Sequence, residues 1–519
     1  MLALSAVAYA DNCCTDDSCC PKDCYTSCCK SGCCPANCSD PCELTASSKT
    51  YFNVRPLYQT ARAELISGFR TDRTLAREDG RGGAFDAVLF GGKSTKDRRL
   101  ASYFMPHGKT TLVAAELPSA IPADINAANF GIDTTDDSFT STFCLGMNQS
   151  VIGLGLHYKQ QFAWDDELTR GWWFSASSPI TRVQNRVEMC EDSGDEHTFA
   201  EGSQESMCEA FNQSDWNYGR IAANADMKKT RLADIEVKLG HEWLPCDDCH
   251  FGGYAGMLIP TGNKPEAGYV FEPIVGHGGH FGVMWGSDGG YKLWEHDEKE
   301  CAVSVAYNIH SQYLFEKKQC RSFDLKDKPW SRYIKMYKNQ EDAIAGTLTP
   351  GINLMTREVK VSPRFSHNLG AAVLLDKGGF QGELGTNVFC RQAECVKLAC
   401  AWPTGEDAPA LPDTDGTGLN PYRGIDITGT GRFDAFDVLG EGSMADEYQN
   451  YTITECDLDL QSAAHPAILS YTIHGALGYR WDECEYPVHI NAGASYEFAD
   501  DVNTVLNRWT VWGKLGFAF

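Results

Sequence analysis

Between Arg508 and Phe519 the chain alternates in character. Trp509, Val511, Leu515, Phe517 and Phe519 fall on one face of an extended segment, and Arg508, Thr510, Lys514, Gly516 and Ala518 fall on the other. A period of two is the period of a β-strand, so one face is apolar and the other wet. A soluble fold has no reason to finish such a strand on a bare phenylalanine. A sheet closed on itself in lipid does, because closure pairs every backbone amide and sets the apolar face against acyl chains.

The same design recurs upstream. Leu469, Tyr471, Ile473, Leu477, Tyr479 and Trp481 oppose Ser470, Thr472, His474, Gly478 and Arg480. After the turn Asp482–Glu485, Tyr486, Val488, Ile490, Ala492, Tyr496 and Phe498 oppose His489, Asn491, Ser495 and Glu497. Ile152, Leu154 and Leu156 stand against His157, Lys159 and Gln161, and Ile235, Val237, Leu239 and Trp243 against Glu236, Lys238 and Glu242. Leu384 and Val388 stand against Glu383, Asn387 and Arg391. Charges at every second position point into a wet place, which for a closed sheet in lipid is the lumen. Tyrosine and tryptophan collect at strand ends, where a lipid–water interface selects them.

Composition agrees. The chain is 11% aromatic with 49 glycines, as expected of many short strands between polar loops. No run of about 18 apolar residues occurs, which excludes helical membrane crossing. With 45 basic against 70 acidic residues, a formal charge of -25 repels nucleic acid. No nucleic-acid partner is expected.

Connection lengths give an independent prediction. Short turns fall near 482–485, 376–378, 295–299, 245–249 and 164–169, and long loops near 392–465, 317–362 and 181–230. Short turns on the periplasmic side and long loops outside are the habit of outer-membrane barrels. The expected fold is therefore all-β, an antiparallel up-and-down transmembrane β-barrel of about fourteen strands, within a range of about 12 to 16. One strand is expected to hide in the poorly patterned first 150 residues, and 99–140 could form a loop folded into the lumen. The alternative is a soluble β-sandwich or propeller.

The amino-terminal region differs. Residues 1–10, ending Ala8-Tyr9-Ala10, suggest the remnant of a signal peptide, with a barrel expected over 49–519. Between them, 11–48 holds Cys13, Cys14, Cys19, Cys20, Cys24, Cys28, Cys29, Cys33, Cys34, Cys38 and Cys42, eleven of the 23 cysteines, and almost nothing apolar. Such a segment cannot build a core, so its order must come from disulfides or bound metal. Disulfides suit an exported chain, and a metallothionein-like thiolate cluster is the other reading. Both counts are odd, leaving at least one sulfur for a neighbouring molecule or a free thiol.

These residues resemble outer-membrane porins of Gram-negative bacteria, and the cysteine content is similar to major-outer-membrane-protein-like porins of chlamydia-like and other intracellular bacteria. The carboxy-terminal Trp512-Gly513-Lys514-Leu515-Gly516-Phe517-Ala518-Phe519 resembles the assembly signal read by the barrel insertion machinery, carried by Phe517 and Phe519. The resemblance implies outer-membrane localisation in contact with lipid, diffusion of small solutes, and an envelope linked by disulfides. Trimers or disulfide-linked neighbours are the expected self-association. A structural lattice protein and a FadL-like plugged barrel for hydrophobic ligands are the alternatives.

Arg480, Lys514, Arg508, His474, Glu497, Glu236, Lys238, Glu383 and Arg391 are the candidate pore wall. Cys246-Asp247-Asp248-Cys249-His250 matches a haem-attachment spacing, but it falls in a tight turn, where a disulfide between Cys246 and Cys249 is the expectation. Asp413 and Asp415 offer oxygen ligands for calcium without the full loop spacing, so a Gly/Asp turn is preferred. No cofactor, metal or catalytic residue is assigned, and no nucleophile elbow, phosphate loop or dinucleotide fingerprint occurs.

Overall fold

The computed structural model describes residues 48–519 apart from 60–80, 96, 117–122, 136–137, 168, 194–196, 247, 297–299, 412–451, 482–483 and 500–506. Twelve antiparallel strands close into a barrel. They are β1 (Gly83–Ser94), β2 (Thr140–Phe162), β3 (Arg170–Asp192), β4 (Ile235–Cys246), β5 (Cys249–Ile259), β6 (Gly282–His296), β7 (Cys301–Leu314), β8 (Arg364–Lys377), β9 (Phe380–Arg391), β10 (Ile468–Trp481), β11 (Val488–Ala499) and β12 (Arg508–Ala518). Each pairs with its sequence neighbours. β1 closes the ring against β12, from Ala84 opposite Ala518 to Ser94 opposite Arg508.

Twelve is two fewer than the fourteen expected. The strand hidden early in the chain is β1. The described residues of 99–140 lie outside the barrel ring, in a helix at Asp97–Phe104 and short strands at Thr111–Ala115 and Ile125–Asn126. Asp226–Leu232 likewise pairs only with β3. Strand-like residues are thus spent lengthening β2 and β3, each 23 residues, beyond the rim.

The predicted alternation is realised around the wall. Leu477 is 74% exposed, Leu384 67% and Leu515 54%, whereas Lys514 is 1% and Glu236 2% exposed. Burial is inverted relative to a soluble protein, with apolar side chains out and charged ones in. Exposed aromatics form two girdles. Phe162, Trp172, Trp243, Phe251, Trp294, Phe380, Trp481 and Phe517 ring the short-turn end, and Trp285, Phe365, Tyr471, Tyr496 and Trp509 ring the long-loop end. The band between them is aliphatic, and the eight-residue step from Trp509 to Phe517 runs about 26 Å along the strand, or about 20 Å along the barrel axis at a tilt of roughly 40°, near the height of an outer-membrane barrel's apolar belt. The chain is an outer-membrane β-barrel. All five predicted short turns lie at one end, at 163–169, 247–248, 297–300, 378–379 and 482–487, and the long connections lie at the other.

A second core sits beyond the long-loop rim. Leu100, Phe104, Phe130, Phe143, Phe211, Trp216, Trp330, Tyr333, Ile352, Val359 and Trp402 are buried together there. This cap contains a three-stranded sheet of Lys317–Ser322, Thr356–Ser362 and Cys395–Leu398. It packs as a water-soluble domain does, apolar side inward.

Candidate functional site: the lumen and its strap

The nine candidate wall residues face the barrel interior, and most are joined there in ion pairs. Glu497 on β11 accepts from Arg508 Nε at 2.7 Å and from Ser470 Oγ at 2.7 Å, and Arg508 Nη2 completes the ion pair at 2.6 Å. Glu383 lies 2.8 Å from His474 Nε2, and Glu236 lies 3.2 Å from Lys238 Nζ. Lys514 Nζ is 3.5 Å from Asp86, which also faces His157 at 3.3 Å and His489 at 3.9 Å. Arg391 and Arg480 stand at opposite ends, Arg391 at the long-loop rim and Arg480 near the short turns. Two lysines lie over aromatic rings, Lys159 4.3 Å from the Trp173 centroid and Lys238 5.1 Å from that of Tyr254. Buried charge needs such partners, because removing an ion from water costs several kcal/mol unless it is paired.

Sequence reasoning missed Asp86 and Arg55 as members of the site. β1 conceals its alternation because its inner face turns apolar past Asp86: Val88 and Phe90 point inward and Leu89 is 59% exposed on the other face. That part of the inner face is apolar because something apolar covers it. That cover is the segment 48–59.

This strap starts in the cap and enters the mouth of the barrel. Ser48 Oγ donates to Asp324 at 2.9 Å, Lys49 N to the Tyr103 carbonyl at 3.0 Å and Thr50 N to that of Ser462 at 2.9 Å. Within the rim, Arg391 Nη1 donates to the Asn53 carbonyl at 2.7 Å, and Arg55 Nη1 donates to Asn387 Oδ1 at 2.8 Å while lying 3.8 Å from Glu497. Leu57 and Tyr58 pack with Val88, Phe90, Val183 and Trp512 in a small apolar cluster inside the lumen. Pro56 accepts from Gln59 N at 3.0 Å and starts the single turn Leu57–Gln59.

The connection 260–281 also folds inward, with residues 273–280 all buried. Gly276, Gly278 and Gly279 hold positive φ of 80°, 67° and 84°, which lets one tight loop turn His277 into the lumen and His280 toward the cap, where it lies 2.8 Å from the Phe315 carbonyl and 2.9 Å from Gln319 Nε2. His277 Nδ1 is 2.6 Å from Asp234, and its Nε2 lies 3.1 Å from Gln59 Nε2 and 3.2 Å from Gln312 Nε2. A carboxylate only accepts, so Nδ1 carries the proton and Nε2 receives the amide N–H of the strap and that of β7.

Above the rim, Arg321 Nη1 donates to Glu394 at 2.7 Å, and its guanidinium lies 3.2 Å from the Tyr51 ring centroid. Burial pushes the Tyr51 hydroxyl up to about 12. Burial acts against ionised Glu394 too, yet Arg321 and Arg391 outweigh it and hold the carboxyl at about 2. Burial, aided by Arg391, depresses His465 to about 3.

The strap packs closely on the wall beneath it. The gap between the strap and the wall, lined by Phe52, Val54, Leu57, Val151, Val183 and Ile274, measures about 30 Å³, room for roughly one water. Cys246 and Cys249 are backbone register partners at the β4–β5 turn, and His250 lies 3.9 Å from Asp288. Cys13 to Cys42 and the Asp413/Asp415 turn lie outside the described residues. Phe517 is outward-facing beside Phe85, and Phe519 bonds to Gly83 through both backbone groups.

No protein-family profile matches the chain, and no curated protein matches it. Among solved structures it is similar to an outer membrane channel from Pseudomonas putida F1, at 10% identity and a TM-score of 0.34 over 84% of this chain and 96% of that one. It is also similar to a Pseudomonas aeruginosa FadL homologue, at 10% identity and 0.27 over 91% and 97%. The P. putida toluene transporter TodX gives 10% and 0.31 over 91% and 95%. Likenesses this low carry no argument about what this chain moves.

Proposed function

We propose that the protein is a strap-closed outer-membrane channel for small polar solutes. The observation that supports it is the strap itself: residues 53–59 sit inside a lumen whose wall is largely charged, and their ties are a handful of hydrogen bonds and one small apolar cluster. With the strap in place, the gap between strap and wall is too small for a solute. With it displaced, the wall residues Asn387, Glu497 and Arg508 become a hydrated polar constriction, a lining that passes ions and small hydrophilic molecules. A FadL-like role shares the plug but calls for an apolar path, which the wall of Asp86, Lys159, Glu242 and Lys514 does not offer.

Planar-bilayer recording tests the gate. The intact protein should show rare, small steps, and the Arg55→Ala, Leu57→Ala double variant frequent larger ones. Equal, fully open steps from both proteins would remove the strap from the mechanism. Proteoliposomes of the variant should admit sugars or amino acids faster than the intact protein does, and acceleration of a hydrophobic probe alone would favour the plugged hydrophobic transporter.

A second reading concerns the envelope. Ser48 is tied into the cap, so the cysteine-rich stretch joins the barrel at its long-loop end, where neighbouring molecules could be linked through Cys13 to Cys42, in keeping with the resemblance to cysteine-rich major outer-membrane proteins. Non-reducing gels should show high-mass species that collapse with reductant and vanish when 11–42 is deleted. Ladders unaffected by the deletion would end this reading. Cys246 and Cys249 are proposed to bridge their own turn, and Phe517 and Phe519 to be read during insertion.

A further inference from the structure

We infer that Cys144 and Cys190 form a reversible dithiol–disulfide site on the projecting hairpin of β2 and β3. The two residues are register partners across that ladder. Leu145 N bonds to the Thr110 carbonyl and Met189 N to Asn224 Oδ1, both away from the β2–β3 ladder, so the backbones of Cys144 and Cys190 point at each other. Such a directly hydrogen-bonded pair has its Cα atoms about 5.5 Å apart, within the span a disulfide bridges. The neighbouring Cys144 side chain raises the Cys190 thiol above its ordinary value, with burial and Glu188 adding to the effect and Arg98 opposing it.

The position suits redox chemistry better than packing. Cys190 is exposed and Cys144 half-buried, whereas a cysteine serving as a small hydrophobe is buried. The pair also stands past Ser150, the last β2 residue opposite β1, and so beyond the end of β1. An exported chain meets disulfide oxidants there, either a thiol-oxidase disulfide or oxidised glutathione. The Cys190 thiolate attacks the oxidant's disulfide, forming a mixed disulfide and releasing one thiol. The Cys144 thiolate then attacks Cys190 Sγ and releases the second. Two cysteine thiols are oxidised, one disulfide is reduced, and the two protons leave on the released thiols. The bridge clasps the two strands on which Thr111–Ala115 and Asp226–Leu232 are mounted, and its exposure leaves it open to reduction.

The test uses the full chain in detergent, incubated with oxidised glutathione, alkylated with maleimide, then digested with trypsin. Residues 110–159 and 187–220 should appear as one linked species that separates on adding dithiothreitol. The Cys208→Ser variant should retain the link, since Cys208 shares the second peptide. In Cys144→Ser, Cys190 should gain one maleimide per chain while heat-modifiable gel migration is unchanged. Full alkylation of both thiols after the oxidant, or linkage of Cys144 to any other peptide, would overturn the assignment.

Discussion

Glu497 shows what single residues do in this wall. It receives Arg508 through two nitrogens, Ser470 through its hydroxyl and Arg55 at longer range, all at 3% side-chain exposure or below for the charged groups. Replacing it by alanine leaves two buried guanidinium groups facing one another, and breaking a buried pair costs about 3–5 kcal/mol. Glu497→Ala should therefore lower the temperature at which the folded gel band converts to the unfolded one, and its effect should shrink in an Arg55→Ala background because one unpaired cation is gone. Equal losses in both backgrounds would mean that Arg55 and Glu497 do not interact. Lys514 is placed differently, with Asp86, His157 and His489 around one carboxylate, so its neighbours share a single negative charge.

Among the elements, the strands are joined by a recurring device: an inward aromatic ring lies over a glycine of the next strand. Trp512 covers Gly493, Trp173 covers Gly240 and Phe90 covers Gly153, each pair in direct register. A methyl group at Gly493 would meet the Trp512 ring at 2.4 Å, at Gly240 the Trp173 ring at 2.2 Å. The glycine makes room for the ring, and the ring supplies the packing that the glycine lacks. Gly493→Val should cost about 1–3 kcal/mol through overpacking, and Trp512→Leu should recover most of it in the double variant. Urea unfolding of the four members of the cycle measures the coupling, and strictly additive losses would refute the contact. The strap belongs to the same scale, since Leu57 and Tyr58 reach the lumen cluster that contains Trp512 and Phe90.

For the whole molecule, two cores of opposite polarity predict two responses to acid. Burial keeps His465 neutral in the folded cap, with its value depressed from 6.5 to about 3, while the unfolded chain takes up a proton below about pH 6.5. His280 behaves alike, at about 4. Glu394 is held at about 2 against an ordinary 4.5, so its contribution is present above pH 4.5 and lost as pH falls toward 2. Asp459, raised by burial to about 6 from 3.8, works the other way, favouring the fold as pH falls between those values. Two histidines outweigh one aspartate, so the cap should lose stability progressively from pH 6.5 down to about 3. Pepsin should then cut 193–234 and 315–363 at pH 3.5 faster than at pH 5.5, after normalising for the enzyme's own pH dependence, while the barrel keeps its heat-modifiable migration. Resistance of those loops at both pH values would contradict the assignment.

What the sequence determined by itself was the wall. The alternation of Trp509 to Phe519, of Ile235 to Trp243 and of Tyr471 to Trp481 assigns each side chain to lipid or lumen, because a period of two admits only two faces and one of them must be covered. Turn lengths then ordered the strands and chose the ends. The occupant of the lumen was decided only by tertiary structure. Arg55, Leu57 and Gln59 carry no local signal, since their partners Asn387, Phe90 and His277 lie far along the chain and meet them only after the sheet has closed. The same closure explains why β1 escaped the pattern: past Asp86 its inner face carries Val88 and Phe90 to receive the strap, and a stretch apolar on both faces has no alternation to detect.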